Sequence, residues 1–158
     1  IDFMSDKYDE IASSLIRKNI FERNQLQEIK EPWLVGLQRY ESFPSVLNHG
    51  DLSTKNVIID EHGELTLIDW DDAMSYNWMA DVARMTYWMK FTYDTYEYEF
   101  YRNIFLEHYL IDSKGNDFAI SEPYFHVLFG LDYLNFFANT TQFQDRMVYF
   151  KETLNKAI

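Results

Sequence analysis

Apolar residues recur at helical spacing from the start of the chain. Tyr8, Ile11, Ala12, Leu15 and Ile16 share one face, and Ser5 stands where an N-cap belongs, which predicts a helix over 5–20. A short helix over 21–29 follows. Pro32 suits the first turn of another, which Trp33, Leu34, Leu37 and Tyr40 carry to about residue 42, where Pro44 ends it. Val46 and Leu47 read as a short strand. Over 57–68 the pattern changes to two short apolar runs, Val57 to Ile59 and Leu65 to Ile68, around the polar stretch Asp60 to Glu64. That is a β-hairpin. Helical spacing returns from Trp78, with Val82, Met85 and Met89 on the same face. A Tyr- and Phe-rich helix over 94–111, a turn cluster from Asp112 to Asp117, and helices over 121–138 and 142–156 complete the chain. The predicted fold class is mainly α with one small β-hairpin. No repeat, low-complexity segment or linker divides residues 1–158, so the expectation is a single domain.

Composition narrows the class. Hydrophobic residues make up 47% and aromatic residues 18% of the 158, enough to fill a core and to exclude disorder. The formal charge of −12 argues against nucleic acid and against anionic membrane surfaces as partners. It is also uneven: ten acids and seven bases lie in residues 1–60, sixteen acids and seven bases beyond. A cationic substrate and ordinary solubility both account for that asymmetry. There is no cysteine, so disulfides and thiolate metal sites are excluded. No apolar run reaches membrane-spanning length and the first residues lack a signal-peptide pattern, which together point to the cytoplasm.

The chemistry concentrates in the run His49-Gly50-Asp51-Leu52-Ser53-Thr54-Lys55-Asn56 and in Ile68-Asp69-Trp70. The hairpin between them is of the length that returns Asp69 to the side of Asn56. Three oxygen-bearing side chains, Asp51, Asn56 and Asp69, are then expected to converge. Phosphoryl transfer from ATP calls for such a set: one carboxylate to accept the acceptor hydroxyl proton, and an amide with a second carboxylate to hold Mg²⁺ against the phosphates. Alone, each of these residues would read as a turn residue; their register favours the catalytic reading. Residues 49–56 are thus the candidate catalytic loop and 68–72 the candidate metal-binding segment. His49 reads as a brace for the loop, and Gly50 as a point of close backbone approach. Ser53 and Lys55 could touch phosphate or substrate, or be solvated. Asp71 and Asp72 are candidate substrate contacts, with loop solvation as the alternative. Asp81, at the start of a helix, suits the helix dipole or could accept backbone N–H groups from the loop. Tyr93, Tyr96, Tyr98 and Tyr101 read as packing rather than as a substrate cage.

The run from Asn48 to Met89 resembles the aminoglycoside phosphotransferase family, which includes choline-kinase-like and other small-molecule kinases. His49-Gly50-Asp51, Ile68-Asp69-Trp70 and Asp81-Val82-Ala83 carry the resemblance. Phe129-Gly130-Leu131-Asp132-Tyr133-Leu134 is more weakly similar to hygromycin-type antibiotic kinases. The resemblance implies a protein-kinase-like fold, with Asp51 as catalytic base, Asn56 and Asp69 as Mg²⁺ ligands and Asp81 as the acid that braces the loop. It also implies ATP as co-substrate. Protein kinases would add an Ala-Pro-Glu element after the metal segment, and none follows.

The chain has five glycines and no Gly-x-Gly-x-x-Gly loop or lysine-bearing strand ahead of residue 49. With Ile1 rather than Met at its start, the expectation is the C-terminal, helical lobe of a larger enzyme, its N-terminal ATP lobe missing and its activity low when isolated. The acceptor expected is a small-molecule hydroxyl: an aminoglycoside-like polycation, with choline, homoserine or a sugar as alternatives. A binding or regulatory remnant of a kinase is the non-enzymatic alternative, and the intact Asp51, Asn56 and Asp69 argue against it.

Overall fold

A computed structural model describes residues 2–109 and 115–158. Among them are six α-helices and two small antiparallel sheets. In chain order these are α1 (Asp2–Arg17), α2 (Arg23–Gln38), β1 (Ser45–Asn48), β2 (Val57–Ile59), β3 (Leu65–Leu67), β4 (Met74–Asn77), α3 (Met79–Thr92), α4 (Thr95–Tyr109), α5 (Gly115–Phe136) and α6 (Phe143–Ala157), with one 3₁₀ turn at Thr54–Asn56. The residues divide into two compact units. One joins the chain up to Ser42 to Ser121–Ile158, and the other is Phe43–Ile120. No helix among the described residues is long and apolar enough to cross a membrane.

In the first unit, α1 buries Met4, Tyr8, Ile11, Ala12 and Leu15. The predicted stripe is therefore the core face, apart from Ile16, which is only partly buried. The helix begins before Ser5, however, so Ser5 lies inside it and caps nothing. The two helices expected over 21–29 and from Pro32 are one continuous helix, α2, with Pro32 inside it. A proline there removes one backbone bond, at a cost of about 3 kcal/mol. The ring is exposed, and Leu26, Ile29, Trp33 and Leu37 on the opposite side are buried at even helical spacing. Burial of that stripe outweighs the lost bond. The Tyr8 hydroxyl donates to the Leu26 carbonyl at 2.7 Å, and its ring lies 5.0 Å from that of Trp33. Burial, with the nearby Asp9 charge, pushes the Tyr8 phenol far above its ordinary value. Trp33 Nε1 donates to the Tyr124 carbonyl at 2.7 Å, and Ser14 Oγ donates to Asn135 Oδ1 at 2.8 Å. The sequence's early and late helices are tied together by these bonds.

The expected turn cluster at 112–117 fares differently. Residues 112–114 lie outside the described residues, and Gly115 to Asp117 open α5. That helix begins six residues before the predicted start and carries Pro123 internally. The Pro123 position is again compensated by apolar burial along the same helix, at Phe125, Leu128, Leu131 and Leu134.

The second unit holds both sheets. β2 and β3 pair as the predicted hairpin, in the register Val57 to Leu67, Ile58 to Thr66 and Ile59 to Leu65. Asp60 shapes its turn by accepting the N–H groups of His62 and Glu64 through Oδ1. β1 pairs antiparallel with β4, from Ser45 with Asn77 to Asn48 with Met74. β4 has no counterpart in the sequence reading. Its four residues, Met74-Ser75-Tyr76-Asn77, are too few and too poor in β-branched side chains to announce a strand. Asn48 Nδ2 reinforces the pairing by donating to the Tyr76 carbonyl at 2.9 Å. In the same unit, Met85, Trp88 and Met89 of α3 form a core with Tyr98 of α4. Leu52, Tyr93 and Phe105 pack against it. Of the four tyrosines read as packing residues, Tyr93 and Tyr98 join this core and the Tyr101 ring lies tilted against Tyr93, 4.7 Å between centroids, whereas Tyr96 is 81% exposed.

Candidate active site

Every residue of the predicted site falls in the second unit. The loop 49–56 leaves the end of β1, and its shape follows from three anchors. The first is Asp81, in the first turn of α3. Its Oδ2 accepts the His49 N–H at 2.6 Å and its Oδ1 accepts the Gly50 N–H at 2.9 Å. A charged acceptor thus satisfies two consecutive backbone donors that have no strand partner. Burial, with the Asp81 charge added, holds the neighbouring Tyr109 phenol above its ordinary value.

The second anchor is His49, which is buried. Its Nε2 lies 2.7 Å from the Ile68 carbonyl, and the Asp51 N–H points at its Nδ1 at 3.4 Å. The consistent tautomer carries the proton on Nε2, so the ring donates to the Ile68 carbonyl and accepts from the loop. Its ring also lies 4.6 Å from that of Trp70. The third anchor is Gly50, at φ +85°, where a Cβ would collide with the Asp72 carbonyl. Left-handed backbone and close approach both exclude a side chain here. Gly50→Ala is therefore expected to destabilise the protein by about 1–3 kcal/mol. Urea unfolding, compared with the same substitution at the open turn residue Gly63, measures it. At Gly63 (φ +83°) a Cβ meets nothing, which isolates the cost of φ alone.

Asn56 closes the loop. Its Nδ2 donates to the Asp51 carbonyl at 2.9 Å and to Asp51 Oδ2 at 3.3 Å. Two acceptors on one side fix the amide orientation, and Asn56 Oδ1 is left without a hydrogen bond among the described residues. Across the hairpin, the Ile68 N–H donates to the Asn56 carbonyl at 3.0 Å. The ladder therefore continues one pair beyond β2 and β3, and Asp69 is the next residue on the returning strand. Asp69 is exposed and adopts φ +65°, a conformation open to Asp more than to most side chains. Among the described residues no donor holds its carboxylate.

The remaining candidates separate by exposure. Ser53 is 3% exposed and its carbonyl accepts the Asn56 N–H, so it serves the loop backbone. Lys55, Asp71 and Asp72 are exposed. The sequence reading missed one residue entirely. Arg84 donates to Asp51 Oδ1 through both Nε, at 3.0 Å, and Nη2, at 2.7 Å. Its signal was its position, three residues after Asp81 and so on the same face of α3.

A profile of the phosphotransferase enzyme family matches residues 8–114, about two thirds of the chain. The chain belongs to the phosphotransferase enzyme family. No curated protein and no solved structure matches it. The matched span of this phosphotransferase takes in the whole of the loop, the hairpin, the 68–72 segment and α3.

The oxygen set also meets the requirements of a hard cation. Asn56 offers a neutral oxygen whose orientation is already fixed, and Asp69 a carboxylate that no protein donor holds. Mg²⁺ takes one or two carboxylates, keeps several waters and completes its shell with substrate phosphates. Among the described residues no group of three or more His, Cys, Asp and Glu side chains could hold a metal. Asn56 and Asp69 are the two residues of this set that could ligate such an ion.

Proposed function

We propose that this phosphotransferase moves the γ-phosphoryl group of ATP to a hydroxyl group of a small molecule, and that the present chain is the helical, C-terminal lobe of a protein-kinase-like enzyme. The observation that carries this reading is the division of labour at Asn56. Its amide nitrogen is spent on Asp51, the candidate base, and its amide oxygen is left for a cation. Support also comes from the exposed apolar side chains on the hairpin, among them Ile59 at 66% and Leu65 at 68%. Contiguous apolar exposure marks a surface that is normally covered, here by a nucleotide-binding lobe.

In this mechanism Asp51 Oδ2 accepts the proton of the acceptor hydroxyl as its oxygen bonds to phosphorus and the bond to the leaving ADP oxygen breaks. The transition state is loose, so the base chiefly orients the hydroxyl. Asn56 Oδ1 and the Asp69 carboxylate would hold Mg²⁺. When bound, the ion supplies charge neutralisation to the phosphates. Asp81, His49 and Gly50 keep the loop and the 68–72 segment in one arrangement, so that little reorganisation is needed at the moment of transfer. Asp71 and Asp72, exposed beside the site, are the residues suited to a cationic acceptor such as an aminoglycoside-like polyamine. Choline, homoserine and sugars remain the other acceptor classes of this reading.

The test is calorimetry of ATP with the full-length protein, with and without Mg²⁺, followed by transfer assays on a panel of aminoglycosides, choline, homoserine and simple sugars. Mg²⁺-dependent ATP binding and transfer to one acceptor class are expected. A protein that binds no nucleotide with Mg²⁺ present would be a kinase-like binding module instead.

A further inference from the structure

We propose that Arg84 is a positioning residue that selects which oxygen of Asp51 takes the acceptor proton. This rests on the reading of Asp51 as the catalytic base and adds to it a residue that lies outside the loop.

Two nitrogens of Arg84, Nε and Nη2, donate to the same carboxylate oxygen, Oδ1. A guanidinium usually spreads two N–H groups over both oxygens of a carboxylate, as in a fork. Here the second oxygen, Oδ2, is left with a single long contact from Asn56 at 3.3 Å. One oxygen is therefore saturated and the other open. A carboxylate on a loop would otherwise rotate about χ2 and present either oxygen. The clamp removes that freedom and leaves Oδ2 as the proton acceptor.

Arg84 is well placed to act as a fixed support. Its neighbours on α3, Val82, Ala83, Met85 and Thr86, are all buried, so the helix that carries it is anchored. The Arg84 side chain is 13% exposed against 36% for Asp51. The pair is thus screened on the arginine side and open on the carboxylate side. A guanidinium also stays charged throughout the working pH range, so Arg84 does not lose its grip by deprotonation. One face of α3 then controls three consecutive loop residues. Asp81 holds the backbone of His49 and Gly50, and Arg84, three residues further on, holds the side chain of Asp51.

Two other roles for Arg84 make different forecasts. An ion pair that only holds the fold together would alter stability and leave the turnover of the folded protein alone. An arginine that binds a transferring phosphate in its own right would contribute whether or not Asp51 is a base. A double-mutant cycle separates all three. The rate is read as phosphate transfer from Mg-ATP by the full-length protein, with the acceptor found in the panel and with water as control.

Arg84→Met is expected to lower kcat by about 10- to 100-fold, as misplacement of a catalytic group does, with the KM for ATP unchanged. Arg84→Lys, which keeps one charged donor, should recover part of that loss. In an Asp51→Asn background, Arg84→Met should cost no further rate. Wild-type kcat in Arg84→Met would overturn the proposal, as would an equal loss in both backgrounds. If Arg84→Met does not fold, the same cycle is run with Arg84→Lys, whose smaller loss must likewise vanish in the Asp51→Asn background. Failure of the underlying reading looks different: Asp51→Asn would itself turn over at the wild-type rate. In that case Arg84 has no base to position, and the proposal falls with it.

Discussion

Asp51→Asn is expected to lower turnover by about 10²-fold or more while leaving nucleotide affinity near wild type. The substitution keeps the shape of the side chain and its acceptor oxygen toward Arg84. It removes the negative charge and the ability to take a proton. In the proposed mechanism Asp51 serves the acceptor, and it contacts no candidate metal ligand except through the Asn56 amide nitrogen, so the nucleotide side of the site should be spared. Asp69→Asn has the opposite signature. It should abolish Mg²⁺-dependent nucleotide binding, with the loss of kcat following from an empty site. Asn is the preferred replacement because it tolerates the positive φ of residue 69, which Ala does not. Calorimetry on both variants, beside single-turnover rates, reads the two effects separately. Equal loss of affinity in both would remove the distinction between base and metal ligand.

Asp81→Ala is expected to be the most damaging change outside the reacting groups. It leaves the N–H groups of His49 and Gly50 without their acceptor, at roughly 1–3 kcal/mol for each buried donor left unpaired. Asp81→Asn should cost less, since one amide oxygen can still accept. The loop should also lose protection locally: amide exchange at residues 49 and 50 should accelerate by more than at the α3–α4 core around Trp88 and Tyr98. Unfolding midpoints and exchange rates together check this. Unchanged exchange at 49 and 50 would mean that the carboxylate does not hold the loop.

Much of this site could be read from spacing because its parts are joined by a hairpin. A hairpin has a period of two and a short turn, so the pattern over 57–68 is enough to expect Asp69 back near Asn56; the register puts Ile68 opposite Asn56, with Asp69 one residue further on. The same holds for the face of α1, where five apolar residues repeat at helical intervals. Where the reading failed, tertiary burial had overridden a local rule. Pro32 is a good signal of a helix start, yet it lies inside a helix whose opposite face is buried on either side of the proline. β4 was invisible because a four-residue strand has too little pattern, and only its pairing with β1 makes it one. Arg84 was invisible for a different reason. Its partner lies 33 residues earlier, and no periodicity reports an ion pair between a loop and a helix.

The first unit is made of the two ends of the chain, and the second of its middle. Synthesis on the ribosome proceeds in one direction, so α1 and α2 emerge long before the residues they bond to. Ser14 waits for Asn135, 121 residues later, and Trp33 for Tyr124, 91 residues later. Residues 43–120 have no such delay, since their partners are close in sequence and loop closure is correspondingly cheap. The order of translation therefore favours a nascent chain in which the loop 49–56 and its hairpin are formed while α1 and α2, already able to pack on each other, still lack their partners in α5. Those helices, with Trp33 and Leu37 uncovered on the side that meets α5, are an apolar segment open to chaperones until the later helices emerge.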